Sequence, residues 1–564
     1  MHMANSSSSS SPPSSASSSS SSSAAAAAAA GFSVWDEWLH ASLQRLEQTK
    51  LLRSLRPLRL LPSINNNNNN NKEASTQCCA SSAAVQRTAS SCEHAYGTSS
   101  AYFQTFDGPG TWDRDAVEME ISDATFRRWM DDSPSTGDEV SDLDAVLDHA
   151  VGVNAKPSHK LLLFSGNDYL GLSTHPSVRC ATAKAALEFG MGPRGSPLIC
   201  GYTYHHRLLE SALADLKKTE ECLLCPTGFA ANMAVLTALA SSVSPEKSKI
   251  AVFSDSLNHA SIIDGIRISQ RQTDAEVYVY RHKDMVHLDN LLSKTRLARK
   301  VVITDSLFSM DGDLAPMVKL VELRKKHRFL LVIDDAHGTL VCGHNGGGVA
   351  EAFHVEDAID IHVGTLSKAV GCQGGFIATS QKWKKWIESK GRSFIFSTSL
   401  PVPLVAAAHV AIMVAQEEKW RQQAVWKRVK QLSDALGFQF TSPIVPILIG
   451  DAEQTLAASR HLLRAGFHVT AIRPPTVPDN ECRLRITLTA AHSTADVKAL
   501  VAAILAWLKE KGLLLSSSAA ASNNLSTPTI CKIANSKNGE ADEPCSSTEL
   551  TEKASHLKCY SSKL

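Results

Sequence analysis

The chain has no apolar run approaching the roughly 18 uncharged residues that a membrane-spanning helix needs. No segment is therefore expected to cross a membrane. It has almost no net charge: 57 Lys and Arg stand against 56 Asp and Glu, a formal charge of +1. That balance offers little to a nucleic acid or an anionic lipid surface, so neither is expected as a partner. The 13 cysteines form no regular framework. The N-terminus lacks the basic n-region of a secretory signal and the arginines of a transit peptide. Reduced thiols in an intracellular protein are the expectation. Cys222-Leu-Leu-Cys225 has C-x-x-C spacing, but it lies on an apolar run before a glycine turn. Strand packing is the ordinary reading of such a pair.

At 564 residues the chain is long enough for more than one domain. Residues 1–30 are Ser and Ala tracts, a composition that predicts disorder. Residues 31–60 carry Trp35, Trp38, Leu39, Leu43 and Leu46 at helical spacing, which predicts an amphipathic helix from Trp35 to Leu60. An asparagine run opens residues 61–157, a polar, Ser-rich and acidic stretch that reads as a disordered insertion or linker. From Leu161 the pattern changes. Short apolar runs alternate with helical stretches: Leu161–Phe164, Glu221–Leu224, Ile250–Phe253, Val277–Tyr280, Val301–Thr304, Phe329–Ile333, Ile361–Gly364 and Gly375–Thr379. This predicts a large α/β domain over 158–400, with a parallel or mixed sheet covered on both faces. Strands at Ile444–Ile449, Val469–Ala471 and Leu484–Leu488, then a helix from Val497 to Lys511, predict a smaller α+β domain over 401–513. Residues 514–564 read as a disordered tail ending in Ser562-Lys563-Leu564.

Two segments carry the chemistry. Val332-Ile333-Asp334-Asp335-Ala336-His337-Gly338 places an acid and a histidine where a strand meets a glycine. Gly364-Thr365-Leu366-Ser367-Lys368-Ala369-Val370-Gly371 places one lysine among small residues that cannot shield it. Ligands of open α/β sheets bind beyond the carboxyl ends of strands. An acid there can hold a pyridine nitrogen protonated, and a lysine can form a Schiff base, as a pyridoxal 5′-phosphate (PLP) enzyme requires. Alone, Lys368 reads as a surface lysine, and Asp334 as a helix-capping acid. Thr227-Gly228-Phe229-Ala230-Ala231-Asn232 follows a strand and opens a helix, a turn whose free N–H groups suit a phosphate. Asn258-His259-Ala260-Ser261 sets an imidazole where it could stack on a flat ring, although a lone histidine is more often structural. No metal site is expected.

Together these residues resemble the α-oxoamine synthase family of fold-type I PLP enzymes. The resemblance spans about residues 158–510. It rests on Asn167-Asp-Tyr-Leu-Gly171, Ser306-Leu-Phe-Ser-Met-Asp-Gly312, Asp334-Asp-Ala-His-Gly338, Ser367-Lys368 and Ser397-Thr-Ser399. Ile472-Arg-Pro-Pro-Thr-Val-Pro478 and Arg483-Leu-Arg-Ile-Thr-Leu-Thr-Ala-Ala-His492 are most similar to the member that joins L-alanine to pimeloyl-CoA in biotin synthesis. The resemblance implies that Lys368 carries the cofactor, that Asp334 meets the pyridine nitrogen, and that His259 stacks on the ring. It implies His337 and Ser309 beside the phenolic oxygen, and Gly228, Phe229 and Thr365 on the phosphate. Arg473 and Asn167 would hold the amino-acid carboxylate, Thr476 would line the substrate site, and Arg53 would meet the acyl substrate. A homodimer with shared sites is implied, Ser397-Thr398 reaching the partner's phosphate. Asp305 departs from the glutamate of bacterial members, and Gly192-Pro193-Arg194-Gly195 is less glycine-rich than their loop. Sister enzymes using glycine or serine with another acyl-CoA, and an inactive subunit of the same fold, are the alternatives.

A terminal Ser-Lys-Leu is a receptor-read peroxisomal address. Peroxisomal delivery by an import receptor is expected, with the cytosol as the alternative. Deleting Ser562–Leu564 should move a fluorescent fusion from puncta to the cytosol; puncta that persist would remove the expectation.

Overall fold

A computed structural model describes residues 33–48, 103–131, 158–241, 249–272, 275–474, 476–517 and 528–532. Residues 1–30, Arg53, the asparagine run and Ser562–Leu564 lie outside them.

Strands β1 (Glu118–Ser122) and β2 (Ser158–Leu163) pair antiparallel. Seven strands then build the main sheet: β3 (Glu221–Cys225), β4 (Ala251–Asp255), β5 (Glu276–Tyr280), β6 (Lys300–Asp305), β7 (Leu330–Asp334), β8 (Ile361–Thr365) and β9 (Gly375–Thr379). Their order is β3-β9-β8-β7-β6-β4-β5. All neighbours are parallel except β9, which runs antiparallel to β3 and β8. Every residue of β4, β7, β8 and β9 is buried. A parallel sheet covered on both faces demands such continuous apolar runs. Alternate side chains feed two cores. Cys222, Phe253, Leu331 and Ile333 face one, against Leu209 and Val405. Cys225, Val252, Leu330 and Val332 face the other, against Ala234, Ile262 and Trp386. Cys222 and Cys225 thus point to opposite sides of β3. Burial pushes both thiols up, which leaves the C-x-x-C spacing to strand packing.

The small domain holds β10 (Ile444–Gly450), β11 (Phe467–His468), β12 (Thr470–Ile472), β13 (Cys482–Thr487), β14 (Leu513–Ser517) and β15 (Pro528–Lys532). Five of these form a sheet of order β12-β13-β10-β15-β14, and β11 closes a second sheet of order β1-β2-β11. Two expectations change here. Leu161–Phe164 was assigned to the main sheet, but β2 pairs with β1 and β11, and Leu162 and Phe164 pack with Phe467 in the small-domain core. The tail from residue 514 was expected to be disordered, yet β14 and β15 pair in register from Leu513↔Lys532 to Ser517↔Pro528. Ile530 packs against the same core.

A third correction concerns residues 61–157. Residues 103–131 are folded, with a helix at Asp123–Asp131 and β1 on the edge of β2. Polar composition hid this because ionic contacts hold the segment. Arg421 is fully buried in helix Lys419–Leu436. Its Nη1 donates to Asp113 Oδ1 at 2.6 Å and its Nε to Glu418 Oε2 at 2.6 Å. Glu418 Oε1 accepts from the Phe106 N–H at 2.7 Å.

The described part of the first predicted helix runs Ser33–Gln48. Trp35 and Trp38 pack on Trp383 and Trp386 of helix Gln381–Lys390, with Arg299 4.0 Å above the Trp38 ring. Among the described residues no helix is long and apolar enough to cross a membrane.

Replacing Arg421 with Met leaves the carboxylates of Asp113 and Glu418 buried without their cation. Loss of one partner in such a group typically costs about 3–5 kcal/mol. Urea unfolding of Arg421→Met should show a drop of that size, and an unchanged midpoint would refute the role.

Candidate active site

Parallel strands β4, β6, β7 and β8 end on Asp255, Asp305, Asp334 and Thr365. Their carboxyl ends open into a cavity of about 250 Å³. Lys368, His259, Asp334, His337, Ser309, Gly228, Phe229 and Thr365 all line it. Residues singled out across some 140 positions of sequence are thus gathered by the sheet.

Asp334 ends β7 and is held from two sides. Its Oδ1 accepts from the Ala336 N–H at 2.9 Å, and its Oδ2 accepts from Asn232 Nδ2 at 2.6 Å. Asn232 lies one turn into helix Gly228–Ala240 and also donates to Ser261 Oγ at 2.8 Å. Ser261 Oγ lies 2.8 Å from His259 Nδ1. One amide therefore aligns the acid and, through a hydroxyl, the imidazole. Burial holds His259 below its ordinary value against the raising effect of Asp334, with Lys368 adding to the depression. His337 is pushed down by burial and by the charges of Lys368 and Arg485, and its Nδ1 meets the Tyr169 hydroxyl at 2.8 Å. Asp305 stands in register beside Asp334. Burial and that neighbouring carboxylate push its carboxyl well up.

Lys368 lies in the turn after β8, where the Gly371 N–H donates to the Lys368 carbonyl at 2.8 Å. Burial brings its amine down to about 8, against the opposing pull of Asp334 and Asp305. Across the cavity, Thr227 caps helix Gly228–Ala240 by accepting from the Ala230 N–H at 3.0 Å. The N–H groups of Gly228 and Phe229 occupy the first turn, where no intrahelical acceptor exists. A Cβ on Gly228 would come within 3.0 Å of Thr365 Cβ, so backbone and threonine meet there at contact distance.

Asn167, Arg473 and Thr476 do not line the cavity, and Arg53 is outside the described residues. Asn167 was expected to work with Arg473; the structure joins it to Arg485 instead. Arg485 Nη1 and Nη2 donate to Asn167 Oδ1 at 3.3 and 3.2 Å, and Nε donates to the Ser309 carbonyl at 2.6 Å. The register explains the change. Thr470 pairs with Arg485 and Ile472 with Arg483. Arg473 therefore lies past the end of β12, about 10 Å further along the ladder. Thr476 is exposed on the following turn, its N–H on the Arg473 carbonyl at 3.0 Å. Arg485 is 6% exposed, and its hydrogen bonds among the described residues go to uncharged oxygens. A buried cation without a carboxylate marks a place for an anion. Two arginines alternating along a buried strand were the sequence signal for it.

The Ser309 loop is braced from both domains. Arg483 Nη1 meets Asp311 Oδ1 at 2.6 Å, and Ser442 Oγ donates to the Gly312 carbonyl at 2.7 Å. Gly312 has φ +64, and a Cβ there would meet the Ile444 carbonyl at 2.0 Å, so only glycine fits. His282 spans Asp255 and Asp313 at 2.9 and 3.0 Å. Burial opposes its charge, but the two carboxylates prevail and hold the imidazole up to about 9.

The sequence profile described as aminotransferase class I and II matches residues 159–504, more than half of the chain. The chain belongs to the aminotransferase class I and II family. Within it, this protein is an enzyme, a PLP-dependent acyltransferase. The 8-amino-7-oxononanoate synthase of Arabidopsis thaliana is 54% identical over 478 residues, 83% of this chain and 94% of that protein. The synthase of the same name from Anaeromyxobacter dehalogenans is 43% identical over 62% of this chain and 87% of its own. Among solved structures, serine palmitoyltransferase from S. paucimobilis, with PLP and myriocin bound, is 31% identical. It has a TM-score of 0.59 and covers 63% of this chain and 89% of its own. An 8-amino-7-oxononanoate synthase from Francisella tularensis, 23% identical with a TM-score of 0.53 over 62% of this chain and 98% of its own, shares the fold.

The cavity fits PLP on its own chemistry. It offers a carboxylate held by neutral donors, an amine that burial brings near neutrality, and a helix start with unused N–H groups. Half of Lys368 is then uncharged at about pH 8, against about 10.4 for an ordinary lysine. Acetic anhydride labelling of the apoprotein, read on the Lys368 peptide, should rise with pH through a half-point near 8. A half-point near that of the surface lysines would contradict the site.

Proposed function

We propose that the enzyme condenses L-alanine with pimeloyl-CoA to give 8-amino-7-oxononanoate, CoA and CO2. The observation that carries this reading is a cavity lined by Lys368, Asp334 and Ser309, with Arg485 on the Ser309 carbonyl and no carboxylate hydrogen-bonded to Arg485 among the described residues. The synthases to which the chain is similar support the choice of acyl group.

Asp334, Gly228, Phe229, Thr365, Ser309 and His337 would hold PLP, with Lys368 as its covalent anchor. Bound there, PLP supplies an electron sink for negative charge at the amino acid's α-carbon. Arg485 and Asn167 hold the alanine carboxylate through charge-assisted bonds. Once alanine's amine has taken its place on the cofactor, the freed, uncharged Lys368 amine would take the α-proton, and general base catalysis of this kind is typically worth about 10² to 10⁴-fold. The new bond joins that carbon to the thioester carbonyl, and the C–S bond breaks to release CoA. Loss of CO2 breaks the bond to the carboxylate that Arg485 had held. The Lys368 ammonium then returns a proton to the same carbon. His259, kept uncharged by burial, offers a flat face for stacking. Asp305, pushed toward its neutral form, limits the negative charge beside Asp334. A homodimer in which Ser397 and Thr398 complete the neighbouring site belongs to this reading.

The likeness to serine palmitoyltransferase favours a second reading, serine with a long-chain acyl-CoA. A CoA-release assay crossing alanine, glycine and serine with pimeloyl-, succinyl-, acetyl- and palmitoyl-CoA separates them. Alanine with pimeloyl-CoA should turn over fastest; faster turnover of any other pair overturns the named activity. In the same assay Arg485→Gln should lower kcat/KM for the amino acid by about 30-fold or more, while Arg473→Gln should not.

A further inference from the structure

Residues 103–117 lie upstream of the span that the family profile matches, 159–504. They nevertheless bear on the cavity. The loop Asn167–Gly171 carries two side chains that hold residues of the site from behind, Asn167 on Arg485, which donates to the Ser309 carbonyl, and Tyr169 on the cavity-lining His337. Its backbone is gripped from behind, residue by residue. The Tyr169 carbonyl accepts from the Ala490 N–H at 2.8 Å. The Leu170 carbonyl accepts from Arg421 Nη1 at 3.0 Å. Gly171 has φ +66, and a Cβ there would lie 3.5 Å from Asp113 Oδ1. Arg421 Nη1 thus serves two acceptors, Leu170 on the loop and Asp113 on the upstream segment.

The segment is itself anchored on more than one element. Asp113 Oδ2 accepts from the Gly110 N–H at 2.8 Å, closing the turn that presents it. Arg114 Nη1 meets Asp496 Oδ2 at 2.6 Å on helix Thr494–Glu510. Trp420 Nε1 donates to the Phe106 carbonyl at 2.7 Å, and the Gln104 N–H donates to Ser177 Oγ at 2.9 Å. Asp113 is 1% exposed, too deep to be a surface ion pair.

We propose that residues 103–117 are a buttress for the amino-acid pocket, with Asp113 a positioning residue that acts through Arg421 on the Asn167–Gly171 loop. The effect on substrate rests on the reading that Asn167 and Arg485 hold the amino-acid carboxylate. Without the Asp113 carboxylate, Arg421 turns toward Glu418, the Leu170 carbonyl loses its fixed donor, and Asn167 drifts from Arg485. A displacement of about 1 Å at such a loop can cost roughly 100-fold.

The test uses the full-length holoenzyme carrying Asp113→Asn, and Asp113→Glu in case the first does not fold. Hydrogen–deuterium exchange should quicken in residues 166–172 and stay unchanged in helix Gly228–Ala240. The KM for alanine should rise by about 10- to 100-fold, with kcat within about twofold and the visible absorbance of bound PLP unchanged. Asp113→Glu, which keeps the charge, should fall between Asp113→Asn and the unaltered enzyme. Exchange that quickens evenly along the chain, or an unmoved KM beside a lowered melting temperature, would reduce Asp113 to a stability residue and overturn the proposal. If the unaltered enzyme turns over another amino acid, the named substrate fails but the buttress does not. The exchange of residues 166–172 and the KM of that other amino acid then decide it.

Discussion

Two carboxylates buried side by side at the ends of β6 and β7 are the constraint around which the site is built. Asp305 and Asp334 are in register, so their charges share one low-dielectric corner. A buried pair of this kind is tolerable only if one member gives up its charge or cations and donors surround them. Both remedies are present. Burial and its neighbour push Asp305 upward, while Asn232 and the Ala336 N–H hold Asp334 in place. Lys368 faces the pair, and its amine is kept from falling further by both acids. Burial lowers the Lys368 amine, and one position at the end of each strand limits that fall.

The second layer of the design is mechanical. The Ser309 loop is tied to the small domain by Arg483, Arg485 and Ser442, and to the large one by His282. The Asn167 loop is tied to helix Lys419–Leu436 and, through Arg421, to Asp113, upstream of the span that the family profile matches. The Ser309 loop, which lines the cavity, and the Asn167 loop, which bonds Arg485 and His337, are therefore both held by groups some distance from it. Charged side chains carry these ties, which have directional geometry that apolar packing lacks. The same property makes each tie sensitive to loss of one partner.

Much of the large domain was legible before any coordinates. Most strands of the main sheet are continuous apolar runs, and five of the seven end on an Asp or Thr. Strand boundaries came within one or two residues because burial on both faces leaves no polar position to confuse the pattern. The site followed from the strands, since ligands collect at their carboxyl ends. The segment 103–131 was not legible. Its fixing contacts are Asp113, Arg114 and Phe106 reaching residues hundreds of positions away, and composition carries no trace of such pairs. The tail strands β14 and β15 are hidden for a related reason: ten undescribed residues lie between them, and the other partner of β15, β10, is about 80 residues upstream. Arg473 stands out in its local Arg-Pro-Pro-Thr segment, whereas the ladder of β12 and β13 decides that Arg485 stands beside Asn167.

What the sequence alone determined is a set of candidate groups that the fold then gathers around one cavity. An acid ending a strand, a lysine among small residues and a glycine turn before a helix are local patterns, and each dictates its own chemistry. What only the tertiary structure decided is which groups stand beside them and in what charge state. Burial and Coulomb interaction depend on distances between strands, not on spacing along the chain. So Lys368 as a candidate amine was readable in advance. Its fall to about 8, Arg485 with no carboxylate bonded to it among the described residues, and the bond from Arg421 to Asp113 were not.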